Sequence, residues 1–88
     1  MNYIEAIKQE LMEDGIDEAH ANIYALLVLT TGTSTTLENV HDAWAVLKNT
    51  VRPDHKSLIP FWELSHEVQE LDRPYMESIH RVARLLGD

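Results

Sequence analysis

A length of 88 residues, a net charge of −8 and the absence of cysteine exclude disulfides, thiolate nucleophiles and cysteine zinc sites, and they weigh against general nucleic-acid binding. A hydrophobic share of 44% beside 25% charged residues is that of one ordinary globular domain, near the lower end of what a single core holds together. The charge is lopsided: residues 1–44 carry eight acids against one base, Lys8, whereas residues 45–88 carry seven acids against six bases.

An acidic front half is a solvated surface, a face for a basic partner or a mimic of DNA. The start, Met1 to Lys8, has neither a basic cluster nor a long apolar run, so it does not read as a signal peptide. The longest apolar run, Ala25 to Leu29, is far too short for a bilayer. These features lead us to expect a soluble, cytoplasmic chain without a membrane partner.

Tyr3, Ile4, Ile7 and Leu11 recur at helical spacing, with Glu5, Lys8, Glu10 and Glu13 opposite, which predicts a first helix with one apolar face. Its exposed apolar residues are where self-association is expected. Gly15 followed by Ile16 reads as a helix stop, and Asp17 as the cap of a second helix over about Glu18 to Thr31. This helix carries Ile23, Leu26, Leu27 and Val28 and is expected to be the most buried. His20 lies in its first turn as a solvated or capping side chain. Five threonines and a serine lie between Thr30 and Thr36 and read as a turn, because no phosphate-loop pattern is present.

Thr35 and Glu38 fit a capping box for a third helix ending near Asn49, whose inward stripe is Leu37, Val40, His41, Trp44 and Leu47. His41 is either a hydrogen-bonded core histidine or a ligand-facing one. Lys48, Arg52, His55 and Lys56 follow, either complementing the dipole of the helix end or forming an anion site. Residues 51–64 read as an extended connection holding Pro53 and Pro60, with Leu58 to Leu64 as an apolar plug and Trp62 partly exposed. A short helical turn runs from Ser65 to about Leu71. Asp72 then caps a final helix with Pro74 in its first turn and Tyr75, Ile79, Val82 and Leu86 facing inward. The expected fold is all-α, a compact bundle of four to five short helices in a single domain, 1–88. It divides into an N-terminal helical pair (1–36) and a second segment (37–88).

No catalytic set or cofactor pattern emerges. Asp54, His55 and Ser57 hold the residue types of a hydrolase triad, but sequence neighbours seldom adopt its geometry. The five histidines include no metal-binding pair at helical spacing. Arg73 either pairs with Glu70 or Glu77, or presents its planar fork to a phosphate or carboxylate.

Three runs combine apolar anchors with His, Asp or Arg: Glu38 to Trp44, His55 to Phe61, and Glu67 to Arg73. Together they resemble the ryanodine-receptor repeat, or RyR domain, a small helical module. The resemblance rests on His41 and Trp44; on His55, Leu58, Pro60 and Phe61; on Leu64, Glu67, Glu70, Asp72 and Arg73; and on Leu85-Leu-Gly87. The family's Gly-Trp-x-Tyr-Gly loop is missing between Lys48 and Asp54. Ser57 stands where the family has proline, and Leu71 where it has tyrosine. Through the segment Leu26 to Gly32 and the run Val68 to Asp72, the whole chain is also similar to small actinobacterial phage proteins, which implies a phage accessory protein in the host cytoplasm.

The RyR resemblance implies a non-enzymatic module for an anionic, nucleotide-like ligand. Its candidate ligand-binding residues are His41, Trp44, Lys48, Arg52, His55, Trp62, Asp72 and Arg73, with no catalytic residue, metal or cofactor. The alternative is a protein-interaction factor that meets a host protein through the acidic helical surface, or a homo-oligomer.

Overall fold

The computed structural model describes residues 1–87, which contain helices and turns but no strand. Helix α1 spans Tyr3–Glu13, α2 Glu18–Thr30, α3 Leu37–Val51, α4 His66–Glu70 and α5 Arg73–Leu85. Single 3-10 turns lie at Gly32–Ser34 and Phe61–Glu63. The all-α expectation holds, with four long helices and one of a single turn. No helix among the described residues is long and apolar enough to cross a membrane.

Local chemistry sets the boundaries. The Asn2 side chain accepts from the Glu5 amide to open α1, and Asp17 accepts from the His20 amide to open α2. Between them Gly15 sits at φ 89°, a left-handed conformation that a side chain would disfavour, and Ile16 folds back into the core. The third cap departs from expectation by one residue. Thr36, not Thr35, caps α3, and Asn39 rather than Glu38 closes the box. The Thr35 hydroxyl is already used: it donates to the Gly32 carbonyl at 2.8 Å and lies 2.6 Å from the Thr31 hydroxyl.

Helix α2 is the central element and packs against α1, α3 and α5. Its buried residues are Ala21, Tyr24, Ala25 and Val28, not the expected Leu26, which is 60% exposed. Two alanines on the inner face let neighbouring helices approach closely, and that selects the Ala-Tyr-Ala side. The core combines Ile7 and Leu11 of α1 and these α2 residues with Val40 of α3 and Ile79, Val82 and Ala83 of α5. The N-terminal pair and the rest of the chain therefore share one core. On α5, Ile79 and Val82 face inward as expected, whereas Tyr75 and Leu86 are exposed.

Two polar links tie α5 to earlier elements. Arg81 donates from Nε to the Asp14 carboxylate at 2.9 Å and from Nη2 to the Glu10 carbonyl at 2.8 Å. Beside it the buried Ser78 hydroxyl donates to Asp14 at 2.5 Å. His80 Nε2 donates to the Thr35 carbonyl at 2.8 Å.

The connection after α3 is less extended than expected. Residues 52–60 form successive turns, and Phe61–Glu63 coils into a 3-10 turn. Phe61 is buried, while Trp62 points outward at 73% exposure.

Candidate functional site

Two short segments build a cleft against α3. Its walls are His41 and Trp44 from α3, His55 and Ser57 from the connection, Val68 and Leu71 from α4 and its end, and Asp72 at the start of α5. The cleft is open to solvent on one side and has a volume of about 230 Å³. Four of the eight candidate residues, His41, Trp44, His55 and Asp72, thus meet in one concavity.

Each imidazole has one nitrogen committed to the backbone. His41 is 3% exposed, and its Nε2 donates to the Ile59 carbonyl at 2.8 Å, so the connection is latched to α3. The core reading of His41 holds: its ring is buried and hydrogen-bonded, and it also forms part of the cleft wall. At His55 the roles reverse. The Ser57 amide donates to Nδ1 at 3.0 Å, which fixes the ring proton on Nε2 and leaves that N–H as a donor. This bond also takes the nitrogen that a triad carboxylate would need.

Trp44 joins the two rings. It stacks on His41 at 5.6 Å between centroids and meets His55 edge-on at 5.2 Å. Lys48, one turn further along α3, holds its ammonium 5.9 Å from the Trp44 ring centre, within cation–π range. It stands at the rim of the aromatic group.

Asp72 is the electrostatically unusual member. It occupies the cap position of α5, yet its side chain makes no cap bond, contrary to expectation. Its backbone is helical there (φ −88°, ψ 0°), whereas a capping side chain needs an extended backbone at that position. Among the described residues no hydrogen bond reaches its carboxylate. Burial raises its pKa, with His41 and then His20 acting in the opposite direction. Behind it lies Tyr24, fully buried with a hydroxyl that has no partner among the described residues. Burial pushes the Tyr24 phenol upward, and the Asp72 charge adds to this. Tyr24 packs among His20 and Tyr75, with ring centres 5.9 and 5.6 Å away.

The other candidates lie apart. Arg73 is exposed and forms a two-pronged pair with Glu70, Nε–Oε1 2.7 Å and Nη2–Oε2 3.0 Å, which is its structural reading. Arg52 is the exposed cap at the end of α3. Trp62 lines a different groove with Phe61, Leu37, Gln69 and Met76. Ser57, Val68 and Leu71 are wall residues that sequence reasoning did not select as ligands.

Residues 2–84 match the family described as Domain of unknown function (DUF7701). The chain belongs to that family. The match runs from the cap of α1 almost to the end of α5, so the DUF7701 domain includes both the shared core and the cleft. No curated protein and no solved structure matches the chain.

Proposed function

We propose that this DUF7701 domain is a non-enzymatic binding module whose cleft takes a small planar ligand of the nucleotide type. The observation that carries the reading is the convergence of His41, Trp44, His55 and Asp72, 31 positions apart at the extremes, around one concavity. All four belong to the motifs that resemble the RyR domain. Flat aromatic walls with a few directed polar groups are the usual make-up of a small-molecule site. Lys48 at the rim is the group suited to a phosphate. Lys48 does not line the cleft itself but reaches the Trp44 ring; Arg52 and Arg73 have no part in this reading, because neither lines the cleft nor meets one of its aromatic walls.

The test is thermal unfolding against a panel of mononucleotides and cyclic oligonucleotides, with wild type and Trp44→Ala side by side. A ligand at 100 times its dissociation constant stabilises the fold by about 2.7 kcal/mol, a shift of roughly 10 °C or more at this size. A shift lost in the variant supports the cleft.

One observation favours the second reading, a protein partner or second copy. Leu26 and Val46, 60% and 63% exposed, line one groove between α2 and α3 together with Asp42. A flat nucleotide panel combined with salt-sensitive capture of a basic protein, abolished by Val46→Glu, would move the assignment there.

A further inference from the structure

The cleft combines an aromatic surround with a carboxylate that has no hydrogen-bond partner among the described residues. An anion cannot settle beside Asp72, so whatever enters the interior must bring hydrogen-bond donors. The cap geometry of α5 leaves the Asp72 side chain outside the helix's own bonding, and no other described side chain pairs with it. A carboxylate accepts two parallel N–H bonds best, and such charge-assisted pairs are the strong ones. His55 contributes the complementary group, an Nε2–H donor fixed by the Ser57 amide, which suits a carbonyl on the same ligand. The volume of about 230 Å³ lies below the roughly 300 Å³ at which clefts begin to hold drug-sized ligands. One fused ring system therefore fits inside, and anything attached to it extends beyond the cleft.

We infer that the cleft reads its ligand from a lactam–amine edge of the guanine type, with two adjacent N–H groups on Asp72 and the neighbouring carbonyl on His55. The inference rests on the small-ligand reading above and specifies the class. Adenine presents a bare ring nitrogen where this edge has an N–H, and so sets a lone pair against the carboxylate. Hypoxanthine keeps the ring N–H and the carbonyl but lacks the amine. These three bases separate the contributions at constant sugar and phosphate.

The two tryptophans make the experiment specific. Trp44 lies in the cleft, whereas Trp62 is outside it, so their indole N–H signals in a nitrogen-15 correlation spectrum report site and control at once. The full chain is titrated with GMP, IMP and AMP, and the series is repeated with Asp72→Asn, whose fold is checked by circular dichroism. The expected result is a Trp44 shift with GMP at an affinity at least about tenfold above IMP, the loss of one charge-assisted bond. AMP is weaker still, Trp62 stays still, and the preference disappears in Asp72→Asn. If all three nucleotides move Trp44 with equal affinity in both proteins, the donor-edge inference is overturned while the small-ligand reading stands. If none moves Trp44, or only Trp62 responds, the donor-edge inference is overturned, and the small-ligand reading falls with it when the wider nucleotide panel is also flat.

Discussion

Tyr24 and Asp72 are neighbours whose side chains each lack a hydrogen-bond partner among the described residues, and they make opposite demands on the fold. A buried hydroxyl with no partner carries a desolvation penalty of about 1–3 kcal/mol, which a same-shaped apolar ring avoids. Tyr24→Phe is therefore expected to raise stability by about 1 kcal/mol, read from urea midpoints at constant slope. A loss of stability instead would reveal a bound water satisfying the hydroxyl. Asp72 behaves as an acid whose folded pKa lies above the ordinary 3.8 because of burial. The folded chain then holds its proton more tightly than the unfolded chain, so this group's penalty is complete above the folded pKa and vanishes below about 3.8. Asp72→Asn should raise the melting temperature at pH 7, and the difference should close as the pH falls toward that value. Asp14 and Asp17 act in the opposite sense. Ser78 and then Arg81 hold the first carboxyl down, and the amide and ring of His20 hold down the second. Their contribution is present above 3.8 and is lost in acid. A site residue that weakens its own fold is consistent with a group retained for binding.

At the scale of elements, the His41 latch decides how the cleft is held. The connection between α3 and α4 has little buried apolar surface beyond Phe61, so its position depends on the bond from His41 to the Ile59 carbonyl and on Gln69, which donates to the Phe61 and Leu64 carbonyls. His41→Ala is expected to cost about 2 kcal/mol, from one buried hydrogen bond and the ring's packing. Amide exchange should accelerate in residues 52–60 while α1 and α2 remain protected. Uniform acceleration over the whole chain would mean that the latch is part of the global core. The helices themselves were legible because their ends carry explicit signals: Asp17, Pro74 and the threonine run each fall at or within a residue of a boundary, and Gly15 lies two residues past the end of α1. The shift from Thr35 to Thr36 was not legible, since two adjacent threonines offer the same cap and only the Thr31–Thr35 contact chooses between them. The inward face of α2 was equally hidden, because a helix apolar nearly all round has no preferred side until neighbours select its alanines. In the cleft, His41, Trp44, His55 and Asp72 could be picked out as polar groups among apolar anchors. Arg52, Trp62 and Arg73 share that chemistry but face elsewhere, and facing depends on tertiary packing.

For the molecule as a whole, the decisive fact is that α5 completes a core begun by α1 and α2. The bonds from Ser78 and Arg81 to Asp14 and Glu10 span 64 to 71 positions, nearly the length of the chain. A fragment ending at residue 72 should therefore show little helical circular dichroism, because α1 and α2 expose Ile7, Leu11 and Tyr24 without Ile79, Val82 and Ala83 to cover them. Adding a peptide of residues 73–87 in excess should restore it. Persistent helicity in the fragment alone would show the pair to be self-sufficient.

The same arrangement has a consequence for synthesis. On the ribosome the acidic pair is made before α5, so a pair that depends on α5 does not close until α5 has cleared the exit tunnel. During that interval Ile7, Leu11 and Val28 are open to other chains, and only the charge around them, seven net negatives over residues 1–44, keeps neighbouring nascent copies apart. The acidic front half then serves the chain before it has a fold as well as afterwards, and neutralising its carboxylates would show first as aggregation during expression.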